Sequence, residues 1–169
     1  MTDQVKDIVK EAVDDLIERK ERALLNGGLE KIKRQHEAGY YTARERINLL
    51  VDPDSFMEVG MLNHSDIPGL ENKSAGDGLI VGIAKVDSRP IVVQAGDKTV
   101  FAGTEGAVHM RKAKTIHEYA LKRGLPMFFL HEGGGLRRPD GMGSDGISDK
   151  LFPKEMLTHS RQVPSITSI

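Results

Sequence analysis

The sequence predicts an α/β protein, a mixed or mostly parallel sheet with crossover helices, preceded by a helical N-terminal arm. Two observations carry that expectation. Short, all-apolar runs at 126–130 and 163–169 alternate with longer helical patterns at 105–123 and near 150–161, the order of right-handed crossovers in a parallel sheet. The first 40 residues, by contrast, contain no strand-like run and carry one helical apolar stripe.

That stripe is Val5, Ile8, Val9, Ala12, Val13, Leu16 and Ile17, spaced by threes and fours, and it predicts a helix over 3–25 with Asp3 as N-cap. Gly27-Gly28 breaks it, and a second helix is expected from Leu29 to about Ala38, stopped by Gly39. Such an arm suits lying across another surface. Thr42-Ala43-Arg44-Glu45 has capping-box spacing, so a short helix should run to Leu50 and stop at Asp52-Pro53. Residues 55–59 read as a strand, and 63–78 as a polar, mobile loop. Runs 78–85 and 90–95 flank turn formers and read as a hairpin. A short strand at 99–101 should precede a helix over 105–123 closed by Gly124. Residues 126–130 look like a strand buried on both faces, with Met127 and Phe128 in the core, followed by a glycine-rich loop over 131–149. The run 163–169 is the last strand. No helix follows to cover it, so a continuation is expected and the sheet domain reads as incomplete.

Twenty-four basic and 25 acidic residues leave a formal net charge of −1, which argues against bulk binding to nucleic acid or an acidic membrane. With no Cys there is no disulfide, thiolate nucleophile or Cys-ligated zinc. Neither a signal peptide nor a run of roughly 20 apolar residues is present, so a cytoplasmic protein is expected. His109 and His117, eight apart on one helix, lack metal-pair spacing, and no metal site is expected.

The chemistry should lie in His131-Glu132-Gly133-Gly134-Gly135-Leu136-Arg137-Arg138, directly after the buried strand. Three glycines let main-chain N–H groups converge on one point, an arrangement that can stabilise a developing oxyanion. A tight turn or plain linker would use the same glycines. His131 and Glu132 could form an acid–base pair or simply orient the loop. Arg137 and Arg138 could bind phosphates or hold Asp140 and Asp145. Thr104 fits an N-cap, and the helix start behind it could receive a phosphate. Arg111, Lys112 and Lys114 read as solvated helix residues.

Gly39 to Pro53, GYYTARERINLLVDP, resembles the opening of biotin-dependent acyl-CoA carboxylase β subunits (propionyl-, acetyl- and methylcrotonyl-CoA carboxylase type), G-K-x-T-A-R-E-R-I-x-x-L-L-D-P. The likeness continues through Ser55-Phe56-Met57-Glu58, Gly76-Asp77-Gly78 and Val100-Phe101-Ala102-Gly103-Thr104, and through Gly133-Gly134-Gly135-Leu136-Arg137, where members often have S-G-G-A-R. It ends on Val163-Pro164-Ser165-Ile166-Thr167-Ser168-Ile169, similar to P-Q-I-S-V-I. The T-A-R-E-R-I block is the specific part.

The resemblance implies a crotonase-like (ClpP-like) fold. Residues 1–40 would be the helical arm and 41–169 the N-terminal part of a carboxyltransferase domain. It implies transfer of a carboxyl group from carboxybiotin to the α-carbon of an acyl-CoA, through an enolate held by backbone amides. Those amides fall here on Gly134 and Gly135, with Leu136 a further contributor, and the CoA side falls on Gly103, Thr104, Arg137 and Arg138. Biotin would arrive on a separate carrier protein, and its own oxyanion hole would lie outside these residues. Implied partners are the remaining carboxyltransferase half, a biotin carboxyl carrier, biotin carboxylase and further copies in an oligomer. His131-Glu132-Gly133 stands where members have Asn-Asp or Asp-Ser, and a Gly for the Ser and Leu136 for a small Ala change the shape beside the thioester, while Ala102 for a Gly is a mild change in the CoA-side turn. A biotin-independent crotonase-type decarboxylase or hydratase, or a non-catalytic assembly subunit, are the alternatives.

Overall fold

The computed structural model describes residues 3–138 and 162–168. Helix α1 covers Asp3–Leu24 and α2 covers Leu29–Glu37. Asp3 is therefore already helical rather than a cap. Val5, Ile8, Val9, Val13 and Ile17 on α1 are all about half exposed, so the stripe is not buried in the core. The arm is instead held at its hinge. Asn26 donates to the Asp97 carboxylate, Gly27 N–H to Thr99 Oγ1 (3.1 Å), and Arg44 reaches back to Asn26 Oδ1 (3.0 Å) and the Ala23 carbonyl (3.3 Å).

Helix α3, Ala43–Leu50, starts on the expected capping box. Thr42 Oγ1 accepts from Glu45 N–H (3.3 Å), and the Glu45 carboxylate accepts from Thr42 N–H (2.7 Å). Strand β1 is Met57–Val59, β2 Leu79–Val86 and β3 Arg89–Gly96. The β2–β3 hairpin turns through Asp87 and Ser88, both with positive φ, the geometry of a two-residue turn. No strand forms at 99–101. Instead Phe101–Gly103 makes a tight 3₁₀ turn with Phe101 and Ala102 at φ 48° and 55°. Helix α4, Ala107–Arg123, begins two residues later than expected, on Gly106, and closes on left-handed Gly124. Strands β4, Met127–Leu130, and β5, Ser165–Ser168, complete the described sheet. The expected helix near 150–161 lies outside the described residues.

The five strands lie in the order β1-β2-β3-β4-β5. β1, β2 and β3 pair antiparallel, and β3, β4 and β5 parallel, so the sheet is mixed. Period-2 alternation splits the apolar residues between two faces. Leu79, Val81, Val92 and Met127 pack against Ala113, Ile116 and Ala120 of α4. Ile80, Val93 and Ala95 pack against Ala43 and Ile47 of α3. β4 is fully buried only at Met127, with Phe128, Phe129 and Leu130 half-buried. The end of the supposedly mobile loop is likewise buried at Gly76, Asp77 and Gly78.

Candidate active site

β3 and β4 point the same way, and their carboxyl ends, Gly96 and Leu130, lie side by side. Residues 131–137 cross that edge, where ligands bind in open α/β sheets. The edge needs its free carbonyls satisfied, and Arg46 of α3 does this. It donates to Gly96 O (2.7 Å) and Leu130 O (3.3 Å) and pairs with the Glu132 carboxylate (3.0 Å). Glu132 also accepts from Gln35 Nε2 of α2 (2.6 Å) and has Lys98 Nζ at 3.8 Å. Its main chain lies so close to Gly103 that a Cβ there would come within 2.5 Å of the Glu132 carbonyl.

The downstream end of the loop is tied by Arg137. Its guanidinium bonds Asp77 Oδ1 (2.5 Å), Thr104 O (2.8 Å) and Thr104 Oγ1 (3.2 Å), and stacks over the Phe101 ring at 4.7 Å. Arg137 is 8% exposed and Asp77 wholly buried. Asp77 Oδ2 also accepts from His109 N–H (2.8 Å), so this carboxylate caps the first turn of α4 that Gly106 leaves without a side-chain cap. Two expected roles are thereby corrected. Arg137 is spent neutralising a buried carboxylate rather than facing a phosphate, because an unpaired charge at that depth is costly. Thr104 is not the N-cap; its hydroxyl donates to the Phe101 carbonyl (2.8 Å). Gly103 lines the cavity described below, and Arg138 is exposed.

The expected donor pair also needs correction. Gly134 N–H donates to Ala102 O (2.9 Å), an acceptor presented by the left-handed 101–102 turn, so this amide is already used. Further on, Glu105 N–H donates to Gly135 O and Arg137 N–H to Glu105 O, both at 2.8 Å, making a parallel bridge between Glu105 and Leu136. In such a bridge the N–H of residue 136 points away from its partner. Among the described residues the amides of Glu132, Gly133, Gly135 and Leu136 donate to no carbonyl, and of these Gly135 and Leu136 form the successive pair beyond the tied Gly134. Gly135 sits at φ +80°, a conformation that glycine takes freely.

Beside the loop lies a cavity of ≈ 220 Å³, lined by Gln94, Gly103, Glu105, His109, Gly133 and Gly135 among others. His109 is 4% exposed, and burial pushes its pKa down to about 4, so the ring is neutral at physiological pH. His117, equally buried, bonds Gln94 Oε1 (2.8 Å). Lys112 is not solvated as expected but buried, with Nζ on Gly76 O (2.9 Å) and Leu79 O (2.5 Å). Burial lowers its pKa to about 8 against the opposing pull of Glu58 and Asp77. Sequence reasoning missed Gln35, Arg46 and Asp77. The signal for Asp77 was an acid between two glycines beside an apolar strand, and for Arg46 a second arginine four residues before the helix end. Gln35 had none.

A family model described as "Carboxyl transferase domain" matches residues 34–169. The β5 subunit of the biotin-dependent acetyl-/propionyl-coenzyme A carboxylase of Mycobacterium leprae is 36% identical over 158 residues, 92% of this chain and 29% of that protein. The mitochondrial propionyl-CoA carboxylase β chain of Homo sapiens is 36% identical over 164 residues, 94% of this chain and 30% of that one. This chain thus spans under a third of the length of these relatives. Among solved structures, transcarboxylase 12S, a hexamer assembly with methylmalonyl-coenzyme A and methylmalonic acid bound, superposes with TM-score 0.80 at 30% identity, covering 94% of this chain and 31% of that one. A single-chain, multi-domain long-chain acyl-CoA carboxylase gives TM-score 0.83 at 32% identity, covering 92% and 17%. The crotonase-like carboxyltransferase fold follows from these neighbours.

Proposed function

The chain belongs to the carboxyl transferase domain family, and on that premise we propose that it supplies the acyl-CoA side of a carboxyltransferase acting with a biotinylated carrier. The observation that carries the reading is a glycine loop tied at both ends in which, among the described residues, the successive amides of Gly135 and Leu136 donate to no carbonyl and follow a Gly134 held on Ala102. A thioester oxygen accepting from both would gain charge as the α-proton leaves, and the base for that proton would come with the biotin group once its carboxyl is released. Donors already aligned lower that barrier without reorganising. Gly134 contributes indirectly: its bond to Ala102 fixes the peptide before the pair.

Carboxybiotin, when delivered, supplies the carboxyl group; no described residue is assigned to its side. This chain's own residues hold the thioester and keep the loop in register. Among the expected CoA contacts, exposed Arg138 remains available to a phosphate, and Gly103 shapes the wall of the cavity. The reading includes a division near residue 40 between arm and domain, a cytoplasmic enzyme, and assembly with the remaining carboxyltransferase half in an oligomer.

Incorporation of labelled bicarbonate into acyl-CoA, dependent on the biotinylated carrier, tests the reading in the assembled enzyme. Carrier-independent CO₂ release from a malonyl-type CoA would support a biotin-independent crotonase instead, and stable assembly without turnover an assembly subunit. Leu136→Pro removes one N–H donor and should lower kcat about a hundredfold or more. Leu136→Ala keeps the amide and trims a side chain that is 42% exposed, so it should stay within a few-fold of wild type. Equal rates in the two variants would remove the Leu136 amide from the mechanism.

A further inference from the structure

The carboxylate of Glu132 is the point where three separate parts of the molecule meet the glycine loop. Gln35 reaches it from the arm at 2.6 Å, Arg46 from α3 at 3.0 Å, and Lys98 from the segment after β3 at 3.8 Å. Gln35 is 8% exposed although it lies on a helix whose residues are otherwise mostly solvated. Its burial therefore serves this contact across 97 residues of sequence. Arg46 simultaneously holds the carbonyls that end β3 and β4, so it references Glu132 to the sheet edge itself.

The next links are short. The Glu132 carbonyl packs on Gly103, and Gly133 lies against the Gly103 carbonyl, close enough that a Cβ at residue 133 would meet it at 2.4 Å. Gly134 is then fixed on Ala102, and the two free amides follow. With no side chains on 133–135, this stretch is held by these main-chain contacts, by the Glu105 N–H on Gly135 O, and by the Glu132 and Arg137 anchors on either side.

We propose that Gln35 and Arg46 are positioning residues for the thioester loop, acting through the Glu132 carboxylate, so that the helical arm helps set the geometry of the site. This rests on the carboxyltransferase reading above for its chemical consequence, though not for the coupling itself. Arg46 supplies a planar fork that meets a carboxylate and two carbonyls together, which Lys cannot do. Gln35 supplies a neutral donor, whereas a carboxylate at that position would repel Glu132.

Hydrogen exchange and kinetics together test the proposal. Gln35→Glu and Arg46→Lys in the full chain should each speed amide exchange across 133–137. In the assembled enzyme they should lower kcat about 10- to 100-fold, the scale expected of a misplacement near 1 Å, with KM for acyl-CoA within about twofold. The double variant Gln35→Glu with Arg46→Lys should lose clearly less than the product of the two single losses, because both residues act through one carboxylate. Unchanged exchange in both single variants overturns the proposal. So does faster exchange with wild-type kcat, or a double variant whose loss is the product of the two single losses. Absence of turnover in wild-type enzyme overturns the carboxyltransferase reading and leaves the coupling to be decided by the exchange rates.

Discussion

The two anchors of the glycine loop are both ion pairs, yet they differ in how they are solvated. At the downstream end Arg137 meets Asp77 with side chains 8% and 0% exposed. At the upstream end Arg46 meets Glu132 at 21% and 17%, with Gln35 and Lys98 sharing the carboxylate. A dry pair is all-or-none, because removing one partner strands a charge that water cannot reach. A wetter, shared carboxylate loses contacts one at a time. The loop is therefore rigidly pinned beyond its free amides and more gently adjusted before them, which places the adjustable end beside the arm.

The largest effect should come from the dry end. Asp77→Ala removes both the Arg137 partner and the cap on His109 N–H, and should cost about 3–5 kcal/mol in denaturant unfolding. A loss below about 1 kcal/mol would mean that water reaches this pair and would erase the contrast.

Next is the acid response of the same pocket. His109 has a folded pKa of about 4 against 6.5 unfolded, so between those values the unfolded chain binds more protons. Its contribution is present above pH 6.5 and lost as pH falls toward 4, by about 3 kcal/mol. His109→Gln should flatten the stability profile over that window relative to wild type, as followed by urea melts.

The wet end should respond less. Glu132→Ala removes hydrogen bonds between charged groups that stay partly hydrated, at a cost of about 1–3 kcal/mol that shrinks in high salt. A salt-insensitive loss as large as that of Asp77→Ala would make the two anchors equivalent. Smallest of all, Ala102→Gly relieves a left-handed residue at φ 55° and should stabilise by up to about 1 kcal/mol, or be neutral once chain entropy offsets the relief. A clear loss in thermal midpoint would show that the Ala102 methyl group is needed for packing.

Much of the fold was readable because its cues are local. The Thr42–Glu45 box, the stop at Gly124, the hairpin over β2 and β3 and the break at Gly27-Gly28 each involve residues within a few positions of one another. The misreadings share a physical origin. Residues 99–101 look like a strand by composition, but Asp97 draws Thr99 N–H (2.8 Å) and Thr99 Oγ1 (2.6 Å) into a local turn instead. Lys112 looks solvated on a helical wheel, but the turn at Gly76 and the start of β2 supply carbonyls that bury it.

The amino-acid sequence by itself determined, to within two residues, where the described helices begin and end, which runs form most of the sheet, that a glycine loop follows β4, and which family the chain resembles. Only the tertiary structure decided which amides of that loop remain free. It settled this by delivering the Ala102 carbonyl to Gly134, Asp77 to Arg137, and Gln35 to Glu132, across 32, 60 and 97 residues respectively. A hydrogen bond needs its partner within about 3 Å, and no local periodicity encodes which distant group will stand there.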